Sequence, residues 1–459
     1  MANKYADGGP LKTFGWQLAK AFCAALVVVI YSRGMGAFGR GNLSVMLLYL
    51  QLTLMVSELI AGGALANLFA KFSVRRIAPS AHVFLFAVLL LGYVVGWFLW
   101  VVPNQGVLPL NLDHPKVIAL NLLFMQGFFL GGLGIQYNYL QAKGLVHQRN
   151  QLQLLIEILK LLGLALCFEA MYGFIFPRHF ASELVGTADV IPDGQTFNYV
   201  HGFNELAILW VLVYASGIAW VYSMWKIWRR VGRLNWRPLW NPPREMFESG
   251  VLSQVGHILL FLLYRLPLWW VVAEYGGAEA GVLANALLMA DTIWIFGNSF
   301  GTILHARVIT GVLDDLKVGR MLSRYIWLSG MGTLVAIVAA LCVPVDCYVW
   351  VFGDTFSGLK ASFICISPAV FFLALSAPIG HYLHAQNRFV SLIVSYSSAV
   401  LVLALIWFCV DSLMGKLMGL NLAFLVLFLL NYLQVRHIVK TRGISFIVWR
   451  FARIRFAKK

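Results

Sequence analysis

The chain alternates long apolar runs with short polar breaks, and the runs have a characteristic length. Twelve stretches of mostly apolar residues can be marked, at 14–32, 43–70, 80–102, 117–140, 151–176, 203–225, 250–273, 281–306, 325–345, 360–384, 390–411 and 414–435. About 20 apolar residues in an α-helix cross the ~30 Å hydrocarbon core of a bilayer. Alternation of apolar and polar positions over about 10 residues does not recur, so the pattern predicts helices rather than a β-barrel. The first run contains Lys20, exceeds the apolar region of a signal peptide and is followed by no small-x-small cleavage site. It is therefore expected to remain as a span.

Composition agrees with this pattern. Of 459 residues, 60% are hydrophobic and 12% charged, and the mean hydropathy is +0.79. Soluble domains carry roughly 25% charged residues, and a chain this apolar lacks the polar surface to cover a core in water. A soluble enzyme, a nucleic-acid-binding domain and a disordered chain are excluded. The net charge of +16 reports orientation instead. With the N-terminus inside, 26 of the 35 Lys and Arg fall in cytoplasmic segments and six, Arg33, Arg40, Lys116, Arg178, Lys360 and Lys416, in outer ones. This positive-inside bias predicts twelve spans with both termini cytoplasmic. In the tail, KTRGISFIVWRFARIRFAKK, apolar and basic residues interleave. That suits either an interfacial helix on anionic membrane lipids or a simple stop signal.

Charge and proline also divide the chain. The segment WKIWRRVGRLNWRPLWNPPREMFESG lies at its midpoint, and Pro238, Pro242 and Pro243 prevent a continuous helix there. The expected organisation is an N-terminal six-helix lobe at 1–225, a basic cytoplasmic linker at 226–249, a C-terminal six-helix lobe at 250–435 and a basic cytoplasmic tail at 436–459. Phe38-Gly39 and Tyr275-Gly276 each mark a turn between the first and second spans of a half. Two halves of like orientation form a parallel repeat, an arrangement transporters use to place the substrate path between them. The longest loops, about 177–202 and 226–249, are too short for an extramembrane domain of 50 residues or more.

A charge at mid-bilayer costs about 2.5–3.5 kcal/mol on insertion scales, so each intramembrane ionisable group needs a reason. Arg265 sits mid-span in LLYRLPLWW and Asp291 mid-span in LLMADTIW. The two can simply pair. Alternatively, Arg265 faces an aqueous cavity and binds an anionic headgroup bidentately, with Asp291 orienting it. Lys160 can pair with Glu157 one turn away or face the same cavity. Lys20 can line the cavity or snorkel to the membrane surface. Arg265, Asp291, Lys160 and Lys20 are thus the candidate substrate-binding residues. Glu58, beside Gly62 and Gly63, and Asp291 are the candidate coupling-ion sites. There is no phosphate loop, zinc spacing or nucleophile elbow, so no catalytic residue and no cofactor are expected. His381 and His384 lack a third ligand, so no metal site is expected. Cys342 and Cys347 are near enough to bridge, although spacing alone fixes no disulfide.

Four stretches carry a family resemblance. They are Arg33, Gly39 and Gly41 before NLSVMLLYLQLTLMVSELIAGG; YRLPLWWVVAEYGGAEAGVLANALLMADTIW; VFGDTFSG, with an F-G-x-x-F turn at Phe352–Phe356; and SPAVFFLALSAPIGHYLHAQNR. Together they resemble the polysaccharide repeat-unit flippases of the MOP superfamily, the Wzx-type O-antigen flippases. The resemblance implies an all-α integral membrane protein of about twelve helices, in two six-helix lobes set as a V. It implies alternating-access translocation of polyprenyl-pyrophosphate-linked oligosaccharides across a bacterial cytoplasmic (inner) membrane, with no bond made or broken. The implied partners are the lipid-linked oligosaccharide, membrane lipids, a polysaccharide polymerase and glycosyltransferases, and no nucleic acid. Two alternatives stand beside it: an ion-coupled multidrug antiporter of the same superfamily, and a membrane polysaccharide polymerase or ligase. Twelve spans differ from the fourteen of lipid II flippases. The first-span carboxylate of the drug antiporters is missing, and Lys20 is the charge in that span.

Overall fold

The computed structural model describes residues 10–57, 65–71, 74–98, 115–172, 205–231, 244–309 and 315–441. Among these the architecture is entirely helical, with no strand. The helices are α1 (Pro10–Ser57), α2 (Leu65–Lys71), α3 (Val74–Gly96), α4 (Pro115–Ala142), α5 (Val146–Tyr172), α6 (Glu205–Val231) and α7 (Arg244–Tyr275). They continue with α8 (Gly277–Ile309), α9 (Asp315–Cys342), α10 (Val345–Phe352), α11 (Leu359–Ala385), α12 (Phe389–Cys409) and α13 (Leu413–Thr441). Eleven of the described helices are long and apolar enough to cross a membrane, and the first, Gly15–Ser57, is 43 residues long. A straight helix of that length would measure about 65 Å, twice the hydrocarbon thickness. It therefore holds the first expected span and the opening part of the second, residues 43–57.

The junction between those two spans differs from the sequence expectation. The helix breaks at Gly36, where φ is 66° and ψ −177°, a backbone conformation open to glycine and strained for other residues. Phe38 and Gly39, expected to form the turn, are helical. The segment Gly34-Met-Gly-Ala-Phe-Gly-Arg-Gly41 offers four glycines, and hydropathy does not say which one bends. In the second half the expected turn is found: Gly276 has φ 89° and joins α7 to α8 directly. The F-G-x-x-F segment also forms a tight turn. Gly353 has φ 103° and leads into a 3₁₀ turn at Asp354–Phe356 that buries Phe356. Cys342 and Cys347 are not bridged.

Other expectations fall partly outside the described residues. Glu58 lies in the undescribed segment 58–64, and the expected outer loop 177–202 and the tail beyond Thr441 are likewise outside the described residues. Of the central linker, α6 reaches Val231 and α7 begins at Arg244.

Apolar burial is concentrated within each half of the chain. One large cluster draws on residues between Phe261 and Val435, joined by Ala37 and Leu48 of α1. The other clusters draw on residues between Val27 and Ile227. In the second half, α8 packs on α9 and α11, and α11 on α13. In the first half, α4 packs on α6 and α1 on α5. The main bridge between halves is α1 against α8. Small residues make that approach possible. A Cβ on Gly41 would collide with the carbonyl of Gly277, and one on Gly281 with the carbonyl of Ala37. The two backbones touch there.

Candidate functional site in the space between the halves

Close packing of α1 on α8 closes one end of the interface and brings polar groups together. Arg40, read from sequence as an outer-loop charge, is helical and buried. Its Nε donates to Asn285 Oδ1 at 3.0 Å, and its Nη1 donates to Ser44 Oγ. Ser32 Oγ donates to the same Asn285 oxygen at 3.2 Å. The guanidinium also lies 5.2 Å from the centroid of Tyr31. Buried polar groups persist when they are hydrogen-bonded, and here the partners come from both halves. At the same end, Arg33 Nη1 donates to the Trp350 carbonyl at 2.8 Å, and the Ala37 amide donates to Thr355 Oγ1 at 3.2 Å.

Midway along α7 and α8 the expected ion pair is present. Arg265 Nη2 donates to Asp291 Oδ2 at 2.8 Å, and the two side chains retain 22% and 29% exposure. Pro267 in α7 removes a backbone N–H one half-turn beyond Arg265. Tyr264 donates its hydroxyl to the Leu287 carbonyl at 2.9 Å, and its ring lies 4.9 Å from the Arg265 guanidinium. Arg265 is within electrostatic range of Tyr31 and Arg40 of α1. The pair thus lies near α1, a helix of the first half.

The other candidates belong to the first half. Lys160 Nζ donates to Glu157 Oε1 at 2.9 Å, the local i,i+3 pair. Lys20 is within electrostatic range of Glu157, Lys160, Arg149 and Asp291. It therefore lies near the Lys160–Glu157 pair and Asp291. Lys20, Lys160, Arg265 and Asp291 therefore gather in one region, to which the structure adds Arg40. Among the described residues of this region, the cations Lys20, Arg40, Arg149, Lys160 and Arg265 outnumber the carboxylates Glu157, Glu205 and Asp291.

A second polar site lies toward the opposite end, beside the α4–α5 and α11–α12 turns. A cavity of about 320 Å³ opens there between the halves. The first half lines it with Asn138, Gln141 and Arg149, and the second with Ser253 and four histidines, His257, His305, His381 and His384. His384 hydrogen-bonds Ser253 at 2.7 Å and His305 at 3.1 Å. His381 pairs with Asn298 at 3.1 Å. Among the described residues no grouping of His, Cys, Asp and Glu has the geometry to hold a metal ion. Sequence reasoning noted His381 and His384 as neighbours on one helix. It missed the other two because they come from α7 and α8. A second missed group pins one end of the second half: Glu274 of α7 accepts from Lys416 of α13 and from Trp407 Nε1 of α12, the latter at 2.9 Å.

No protein-family model matches the chain, and no curated protein matches it in sequence. Solved structures do match in fold. The eukaryotic MATE transporter AtDTX14 superposes with a TM-score of 0.63 at 15% identity, over 93% of this chain and 95% of that one. A MOP superfamily transporter from Pyrococcus furiosus, described as having a binding pocket of reverse polarity, gives 0.62 at 12% identity over 97% and 100%. The outward-facing conformation of a multidrug resistance MATE transporter gives 0.56 at 13% identity over 96% and 98%. The chain is a multi-pass integral membrane protein with the fold of MOP superfamily transporters.

Proposed function

We propose that this protein is a flippase. It moves polyprenyl-pyrophosphate-linked oligosaccharide repeat units across a bacterial cytoplasmic membrane, for surface polysaccharide such as O-antigen, capsule or exopolysaccharide. The observation that carries the reading is the excess of cations in the interface, Lys20, Arg40, Arg149, Lys160 and Arg265 against Glu157, Glu205 and Asp291. A buried excess of positive charge is costly unless an anion neutralises it. A pyrophosphate supplies that anion, and a guanidinium such as Arg265 can bind it bidentately. The sugars would occupy the space between the halves, the polyprenyl tail would stay in lipid, and rocking of the halves would carry the headgroup across. The halves correspond to six-helix lobes, with both chain termini cytoplasmic. The P. furiosus transporter's reverse-polarity pocket supports the idea that this fold accommodates pockets of different charge.

A multidrug antiporter is the second reading, and the likeness to a multidrug resistance MATE transporter favours it. The carboxylates Asp291 and Glu157 would then receive a cationic drug or coupling ion. Deleting the gene separates the readings. A flippase loss leaves complete lipid-linked repeat units on the inner leaflet. An antiporter loss leaves polysaccharide intact and raises sensitivity to cationic drugs. Complete units already outside but unpolymerised would instead identify a polymerase.

A further inference from the structure

Gln141, His305 and His384 form part of one continuous hydrogen-bonded chain that crosses between the halves. Arg149 Nη1 donates to Gln141 Oε1 at 2.6 Å. The Gln141 amide nitrogen meets His305 Nδ1 at 3.3 Å, His305 Nε2 meets His384 Nδ1 at 3.1 Å, and His384 Nε2 meets Ser253 Oγ at 2.7 Å. Arginine can only donate, so the Gln141 oxygen must face it and the Gln141 NH₂ must face His305. His305 Nδ1 then accepts, and its proton sits on Nε2. His384 Nδ1 accepts in turn, and its proton on Nε2 goes to Ser253. The chain runs in one direction, with a single proton on each imidazole.

That logic leaves no place for another proton. A doubly protonated His305 would aim Nδ1–H at the Gln141 NH₂. Turning the amide would aim its NH₂ at Arg149 instead. A doubly protonated His384 would aim Nδ1–H at the His305 N–H, and shifting the His305 proton returns the clash to Gln141. The surroundings give an imidazolium no relief. The groups facing His305 are Arg149 of α5, Gln141 of α4, His257 of α7, and His381 and His384 of α11; α12 contributes Tyr396 to the cavity. Among the described lining residues there is no carboxylate, and the one fixed charge is a cation.

We propose that the His305–His384 pair is a proton-binding site that operates this end of the interface. Uptake of one proton breaks the Gln141–His305 link between the halves. The imidazolium is solvated once α4 and α5 part from α8 and α11 and water fills the cavity. A ligand that binds one of two states better shifts the population toward it, so acid opens this end and alkali closes it. One proton changes the open-to-closed ratio by at most about tenfold per pH unit. The inference rests on the proposed movement of the halves but not on the identity of the cargo.

The test uses the full chain in lipid nanodiscs without cargo, its six cysteines replaced by serine. Spin labels at Lys143→Cys, on the α4–α5 turn, and Arg388→Cys, on the α11–α12 turn, report the separation by pulsed electron resonance. Lowering the pH from 8 to 5 is expected to move the distances from a short to a long population. The variant His305→Gln with His384→Gln should show one distribution at all pH values. Ser398→Ala, on α12 with its hydroxyl bonded within its own helix, should keep the response. If the double variant does not fold, His305→Gln alone should displace the midpoint. A wild-type distance that ignores pH overturns the proposal, as does an unchanged midpoint in the folded histidine variants. Polysaccharide export is scored separately, so failure of the flippase reading leaves this result standing.

Discussion

Arg265 of α7 donates to Asp291 of α8 at 2.8 Å, and both side chains remain about a quarter exposed. A pair left this open has room for a third, anionic group on the guanidinium. Breaking a buried pair by removing one partner costs up to about 3–5 kcal/mol, because it strands the other charge. Partial exposure reduces that figure here.

These facts separate a scaffold from a binding site. The double variant Arg265→Gln with Asp291→Asn removes both charges and is expected to reach the membrane at near wild-type level yet fail to restore surface polysaccharide. Arg265→Lys keeps the charge but loses the planar fork, and should restore export only in part. Complementation normalised to protein level measures both. Normal export by the double variant would reduce the pair to scaffolding.

The contact between α1 and α8 should be intolerant of any side chain at Gly281. Its Cβ would meet the Ala37 carbonyl, and overpacking of this kind costs about 1–3 kcal/mol. Gly281→Ala is expected to part this end of the interface. A cysteine at Ser32, buried against Asn285 in the native chain, should then react several-fold faster with a membrane-impermeant thiol reagent. An unchanged rate would show that the contact does not hold this end shut.

Glu274 gathers α7, α12 and α13 through Trp407 and Lys416. Lys416→Met leaves the carboxylate without its cation and should lower the apparent Tm in detergent by a few degrees. Adding Glu274→Gln should recover part of the loss, since the stranded charge goes with it. A melting series on the two variants decides the matter.

Orientation can be checked at two turns of the fold. A cysteine at Lys143, between α4 and α5, should be labelled by an impermeant reagent only after the cells are opened. A cysteine at Ser412, between α12 and α13, should be labelled in intact cells. The opposite pattern would invert the topology drawn from the basic residues.

The helices were legible because a bilayer demands apolar runs of fixed length, and such runs stand out in any sequence. The Arg265–Asp291 pair was legible for the same reason, since charges inside such runs are rare. The bend at Gly36 was not, because four glycines within eight residues offer equivalent hinges and only tertiary contact selects among them. Arg40 was misplaced in a loop for that reason: moving the bend four residues ahead of it made it helical and buried it against Asn285. The histidine chain was invisible, because His305, His384 and Gln141 lie on three helices whose spacing in sequence carries no trace of their meeting.

Reconstituted translocation tests the central claim most directly. Proteoliposomes containing the full chain are loaded on one leaflet with a fluorescent polyprenyl-pyrophosphate oligosaccharide, and a membrane-impermeant quencher follows its arrival on the other. The expected result is protein-dependent translocation that falls sharply in Arg265→Gln with Asp291→Asn and for an uncharged analogue lacking the pyrophosphate. Transport of a cationic dye by the same vesicles, with no movement of the lipid-linked sugar, would contradict the account.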